Sequence, residues 1–110
     1  MPPSTTPLLQ GTLDLIVLQL LKAEPTNGYD LTLRIQAITD DVLTINAGSL
    51  YPALYRLEAK GLIRSEWKKS ETGRKTKVYS VRAAGLKQLA AQRQSWERFS
   101  GALGLILKVT

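Results

Sequence analysis

The stretch from Asn46 to Val81, "NAGSLYPALYRLEAKGLIRSEWKKSETGRKTKVYSV", changes its hydrophobic period part-way along. Leu50, Leu54 and Leu57 recur at i, i+4 and i+7, the spacing of one buried helical face. Beyond Gly61 the pattern becomes alternation, so that "LIRSEWKK" and "KTKVYSV" read as two strands joined by "SETGR", in which Gly73 can take a tight turn. Gly61 supplies the left-handed stop between the two regimes. Pro52 fixes the start of the helix, because its ring would clash with the carbonyl of residue 48 in a continuing helix. The spacing predicts a helix beginning at about Gly48 or Ser49, with Pro52 in the first turn. At roughly 100° per residue, the side opposite the leucines holds Pro52, Tyr55, Arg56 and Ala59, with Ser49 and Tyr51 on the flanks. A short helix running straight into a hairpin leaves few architectures open.

The rest of the chain narrows them further. "PLLQGTLDLIVLQLLKAE" is a helix apolar on nearly all sides, which predicts burial against more than its own domain. "PTNG" breaks it: Pro25 ends the first helix, and Thr26 or Asn27 caps the next. In "YDLTLRIQAI" Leu31, Ile35 and Ile38 fall at helical spacing, and "TDDVLTINAG" is a connection with a short extended piece around Val42 to Ile45. From Ala83 onward "AAGLKQLAAQRQSWERFSGALGLIL" is one long helix. The predicted class is mainly α with a small β-hairpin: a winged helix-turn-helix plus a long C-terminal dimerisation helix. Residues 1–7 read as a disordered or extended start, 8–82 as the DNA-binding domain and 83–110 as the dimerisation helix. Neither an internal repeat nor a low-complexity segment interrupts this order.

Function classes fall away on composition. The 110 residues contain no cysteine and no histidine, so disulfides and thiolate chemistry are excluded and most catalysis and transition-metal sites lose their usual ligands. The carboxylates, adjacent Asp40 and Asp41 included, have no spacing that demands a metal or an acid/base pair, and loop solvation accounts for them. An enzyme, a metal and a cofactor are therefore not expected. "LDLIVLQLL" carries Asp14 and Gln19 and is too short to span a bilayer, and "MPPSTTP" lacks the basic leader of a signal peptide, so the expected location is cytoplasmic. The net charge is +6, but residues 1–45 carry −3 and residues 46–110 carry +9. Most of that excess lies between Arg56 and Lys87, and a one-sided excess of this kind is the footprint of a polyanion-binding face.

In a winged helix-turn-helix the third helix enters the major groove with its N-terminal half toward base edges, while the wing follows the backbone or enters the minor groove. The candidate DNA-binding residues are then Asn46, Ser49, Tyr51, Pro52, Tyr55, Arg56 and Lys60 on and around the helix, and Lys68, Lys69, Arg74, Lys75 and Lys77 on the wing. Several have a plainer alternative. Tyr51 either reaches DNA or packs beside the wing, Tyr29 either reaches a phosphate or is structural, and the wing lysines either meet phosphates or solubilise an edge hairpin.

These residues also resemble a known family, the PadR-type bacterial transcriptional regulators, in the short form with a single C-terminal helix. The resemblance is carried by "GTLDLIVLQLL", "NGYDLTLRI", "GSLYPALYRLEAKGLI" and "GRKTKVYSVRAAGLKQL", from about Leu8 to Leu89. The Gly-Ser-Leu-Tyr-Pro opening of the third helix, with the Arg-Leu-Glu and Gly-Leu-Ile that follow, is its most specific part. It implies a dimeric repressor in which Gly28 and Tyr29 open the second helix and Tyr51 and Pro52 the third. One departure stands out: the family usually has a threonine capping the last helix, and this chain has Arg82. Loss of such a cap costs on the order of 1 kcal/mol.

On the last helix Leu86, Leu89, Arg93, Trp96, Ser100, Leu103 and Leu107 fall on one heptad seam, with Phe99 and Ile106 beside it. A domain this small has no second layer to cover them, so a homodimer is expected, each last helix packing on the partner's first and last helices, with Leu13, Ile16 and Leu20 of the first helix contributing. Trp96 is either a plain interface anchor or, as the resemblance implies for some short members, part of a central pocket for planar molecules. Arg93 and Ser100, polar at two seam positions, favour an imperfectly filled gap there. The reading is a sequence-specific DNA-binding regulator: a dimeric repressor of a palindromic double-stranded operator, released by a planar small-molecule effector. The alternative is a winged-helix protein-protein interaction module without specific DNA binding.

Overall fold

The computed structural model describes residues 7–110, with side chains described from Gly11 onward; of the start expected over residues 1–7, residues 1–6 lie outside the described residues and Pro7 opens the first helix instead. Seven elements follow in the order α1 (Pro7–Ala23), β1 (Thr26–Asn27), α2 (Gly28–Ile38), α3 (Ala47–Ala59), β2 (Ile63–Lys69), β3 (Lys75–Val81) and α4 (Ala83–Leu107). The helices and the hairpin thus stand where the hydrophobic periods place them, in the winged-helix order.

The core is the set of side chains that those periods bring to one point. Val17, Leu18 and Leu21 of α1, Leu31 of α2, Leu50, Leu54 and Leu57 of α3, Ile63 of β2, Tyr79 of β3 and Leu89 of α4 are buried together, and Ile35 of α2 is buried as well. Two expectations change here. Ile38, placed with Leu31 and Ile35 by spacing, is 65% exposed, the last residue of α2 and on the wall of an open groove rather than in the core. Leu89, placed on the dimer seam, is sealed inside its own chain, since the first turns of α4 lie over α1 and β3 before the helix leaves the domain.

Caps and turns account for the boundaries. The Asn27 side chain accepts from the Asp30 amide at 2.8 Å and starts α2. Asn46 does the same for α3, accepting from the Ser49 amide at 2.9 Å. That cap sets α3 in motion at Ala47, one residue or two before the position expected from Pro52, so that Pro52 sits in the second turn rather than the first. The proline has no N–H to offer the Gly48 carbonyl, and the helix continues through this one missing bond. Gly61 (φ +74°) and Gly73 (φ +82°) take the left-handed conformation at the end of α3 and at the hairpin tip. The connection after α2 opens with a turn over residues 39–42, and the backbone is extended again at Asn46. Asp40 and Asp41 adopt φ of 49° and 65°, which short polar side chains tolerate, and Thr39 fastens the turn by donating to the Ile35 carbonyl at 2.7 Å while accepting from the Leu43 amide at 3.1 Å.

The sheet has an additional strand. β1 pairs antiparallel with β3, Thr26 opposite Tyr79 and Asn27 opposite Val78, giving the order β1-β3-β2. Two residues are too few to show alternation, which is why the "PTNG" break concealed a strand. Its effect is to fix the root of the wing to the N-terminus of α2.

Candidate nucleic-acid interface

Strand register decides which wing side chains face the helices. Trp67 lies opposite Lys77, Lys69 opposite Lys75 and Ser65 opposite Tyr79, and directly opposed residues project from the same face of a sheet. That is the face on which Tyr79 is buried, so Trp67, Lys69, Lys75 and Lys77 share the side turned toward α2 and α3. Arg64, Glu66 and Lys68 project from the other side. Lys68 is therefore separated from Lys69, Lys75 and Lys77, and its ammonium group lies 3.6 Å from Glu66 on its own face.

An open groove of about 610 Å³ runs between this face and the N-terminal ends of α2 and α3, with Tyr29, Tyr51, Trp67, Arg74, Lys75 and Lys77 on its walls. Tyr29 is 67% exposed, and Tyr51 is packed on one side and 46% exposed on the other. Its ring lies so close to Gly28 that a Cβ there would come within 2.8 Å of the ring carbons, while one edge stays open to the groove. Tyr55 stands one turn further along α3 and is 78% exposed, on the outward side expected of it. Pro52 and Lys60 are also exposed, Ser49 is half-buried, and the carbonyl of the Asn46 side chain is occupied by the helix cap.

Arg56 is placed differently from its expectation as a free, outward guanidinium. Its Nη2 donates to Asp14 Oδ1 of α1 in a half-buried ion pair, joining the recognition helix to the first helix. On the other side of α3, Glu58 reaches the wing: its Oε2 accepts from Ser65 Oγ at 2.6 Å, and its Oε1 is 4.0 Å from Lys77 Nζ. Lys77 in turn lies 5.7 Å from the centre of the Tyr79 ring, within cation–π range. Burial pushes the Tyr79 phenol above its ordinary pKa, with the Glu58 carboxylate and then Tyr51 adding to the rise. Asp14, Glu58 and Trp67 were absent from the sequence-derived site. Pairing the strands across the five-residue tip would have found Trp67; nothing local marks Asp14 or Glu58 as partners of Arg56 and the wing.

Residues 17–91 match the model of the transcriptional regulator PadR-like family. The chain belongs to that family. Among similar solved structures of transcriptional regulators, one from Clostridium thermocellum superposes with a TM-score of 0.84 at 28% identity, covering 94% of this chain and 100% of that one. A PadR-like transcriptional regulator from Bacillus cereus superposes with a TM-score of 0.81 at 30% identity, covering 96% and 100%. A transcriptional regulator of Mycobacterium tuberculosis is 39% identical over 56 residues, a match spanning 51% of this chain and 51% of that protein. The PadR-like winged-helix fold therefore holds along nearly the whole described chain, and the family is one of transcriptional regulators rather than of enzymes. Among the described residues of this PadR-like chain no cluster of carboxylates is built to hold a metal ion, and no helix is long and apolar enough to cross a membrane.

A second depression lies at the far side of the PadR-like domain. A groove of about 410 Å³ between α1, the end of α2 and α4 is walled by Ile16, Leu20, Ile38 and Leu43, with Trp96 and Arg93 at its α4 side. Trp96 also contacts Phe99, with ring centroids 6.1 Å apart. Ser100, expected beside them, is not part of this groove, and its hydroxyl donates to the Glu97 carbonyl at 3.3 Å. Beyond Leu89 the apolar side of α4 is uncovered: Trp96, Phe99, Leu103, Ile106 and Leu107, like Leu86 before it, are each more than 40% exposed, and Leu13, Ile16 and Leu20 of α1 are half-buried.

Proposed function

We propose that this PadR-like regulator is a homodimeric repressor that binds a palindromic operator in duplex DNA and leaves it when a planar small molecule binds. Residues 8–82 are read as the DNA-binding unit and 83–110 as the dimerisation helix. The observation that carries the reading is the meeting, across one groove, of the tyrosine-bearing N-terminal half of α3 with the cation-bearing face of the wing. Phosphates held by Lys69, Arg74, Lys75 and Lys77 set the register, and Tyr55 with Tyr51 and Pro52 lies where base edges would pass. The uncovered side of α4 supports the two-fold partner, because an apolar stripe of that length on a small domain is a liability unless a second copy covers it. The groove beside Trp96 supports the effector: a guest that favours one spacing of the two recognition helices shifts the population between DNA-competent and incompetent forms.

The test is selection of bound sites from a random duplex pool, followed by titration of the selected site and an unrelated duplex at several salt concentrations. A palindrome preferred by orders of magnitude, with log K falling steeply against log salt, is the expected outcome. Weak binding blind to sequence would instead favour a winged-helix module for an acidic protein partner. The effector part predicts that planar aromatic compounds quench tryptophan fluorescence in Trp67→Ala but not in Trp96→Ala; absence of quenching in both removes it.

A further inference from the structure

We infer that Trp67 is a DNA-contacting residue of the wing, its indole pressed against the deoxyribose faces of one duplex strand while the neighbouring cations hold that strand's phosphates. The inference rests on the DNA-binding reading above. Trp67 is 67% exposed at the wall of the groove between the wing and the recognition helix. Its opposite number across the sheet is Lys77, and Lys69 and Lys75 form the next pair on the same face. An indole left in water is unfavourable, and this one stays 67% exposed although it shares the groove wall with the Tyr51 and Tyr79 rings as well as with Lys75 and Lys77. The chemistry of a nucleic-acid backbone fits both features at once. Its phosphates are drawn to the cations, and its sugars are the apolar surface between them. The indole Nε1–H, a donor that accepts nothing, is also free to meet a phosphate oxygen.

The contact has a signature that separates it from the cations around it. Removing a cation that meets a phosphate lowers the slope of log K against log salt by about 0.9, whereas removing an apolar contact shifts the whole line without turning it. Four proteins are titrated against the selected operator duplex, an unrelated duplex and a single strand, over a salt series, with the anisotropy of the labelled DNA as readout: wild type, Trp67→Ala, Trp67→Phe and Lys75→Ala. Trp67→Ala is expected to bind both duplexes about tenfold more weakly at every salt concentration, with the wild-type slope. Trp67→Phe, which keeps most of the apolar area, should stay within about threefold of wild type, and Lys75→Ala should flatten the slope. The inference is overturned if Trp67→Ala binds as wild type does. It is overturned equally if the slope falls together with affinity, for then the indole only holds the wing in position, or if the loss is confined to the single strand, for then the indole stacks on bases. A wild-type protein that binds neither duplex in a salt-dependent way removes the DNA-binding reading itself, and that is visible before any variant is made.

Discussion

Arg82 occupies the N-cap of α4 with the extended backbone a cap requires (φ −94°, ψ 168°), yet makes no side-chain cap hydrogen bond. The backbone is ready for an acceptor that the residue lacks. Arg82→Thr is expected to stabilise the fold by about 1 kcal/mol, read as a rise in thermal midpoint. Three residues on, Gly85 permits the helix to touch the start of the wing: a Cβ there would stand 2.1 Å from the Leu62 carbonyl oxygen. Backbone cannot move aside as a side-chain end can, so Gly85→Ala should lower stability by roughly 1–3 kcal/mol, although alanine is the better helix former. Tyr79 has a consequence for pH. Its phenol is raised in the folded state, burial first and Glu58 second, so the folded chain holds that proton more tightly than the unfolded one does. The stabilisation is complete below the ordinary tyrosine pKa of about 10 and is lost as pH climbs through the higher folded value. Alkaline titration followed by tyrosinate absorbance should contain a late component that Tyr79→Phe abolishes, and that variant should lose less stability above pH 10.

At the scale of elements, α3 is held from two sides, by Asp14 through Arg56 and by the wing through Glu58. A double-mutant cycle on Asp14→Asn and Arg56→Ala should return a coupling of about 1 kcal/mol in unfolding free energy; a coupling near zero would return Arg56 to the set of residues free to meet a base. The element order was legible because each element carries its own period: three leucines at helical spacing for α3, alternation for β2 and β3, glycines at the two turns. The orientation of individual side chains was less so. Helical angles put Arg56 opposite the leucines correctly, but that side of α3 also passes α1, and a helical wheel knows nothing of a neighbour 42 positions away in the chain. Leu89 was misplaced for a related reason. A heptad seam does not say where a helix stops covering its own domain and begins to project, and the answer lies in where α1 happens to run. The two-residue β1 left no pattern at all.

The whole molecule is long and narrow, 59 × 29 × 26 Å, because α4 continues well past the domain that its first turns cover. If its uncovered side meets a second copy, sedimentation at micromolar concentration should give a dimer mass, and Leu103→Glu with Ile106→Glu should give a folded monomer. Leu89→Ala should behave in the opposite way, losing about 2–5 kcal/mol of stability in each chain without a specific effect on association.

Rigid length also converts angle into distance. The 25 residues of α4 make a rod of about 38 Å, with the winged-helix domain at one extremity and Trp96 near the middle of its free portion. A tilt of roughly 5° between two such rods moves their far ends by about 3 Å, close to the rise of one base step in duplex DNA. In the dimer proposed above, a molecule no larger than an indole, wedged near the pivot, would then be enough to put two recognition helices out of step with their half-sites.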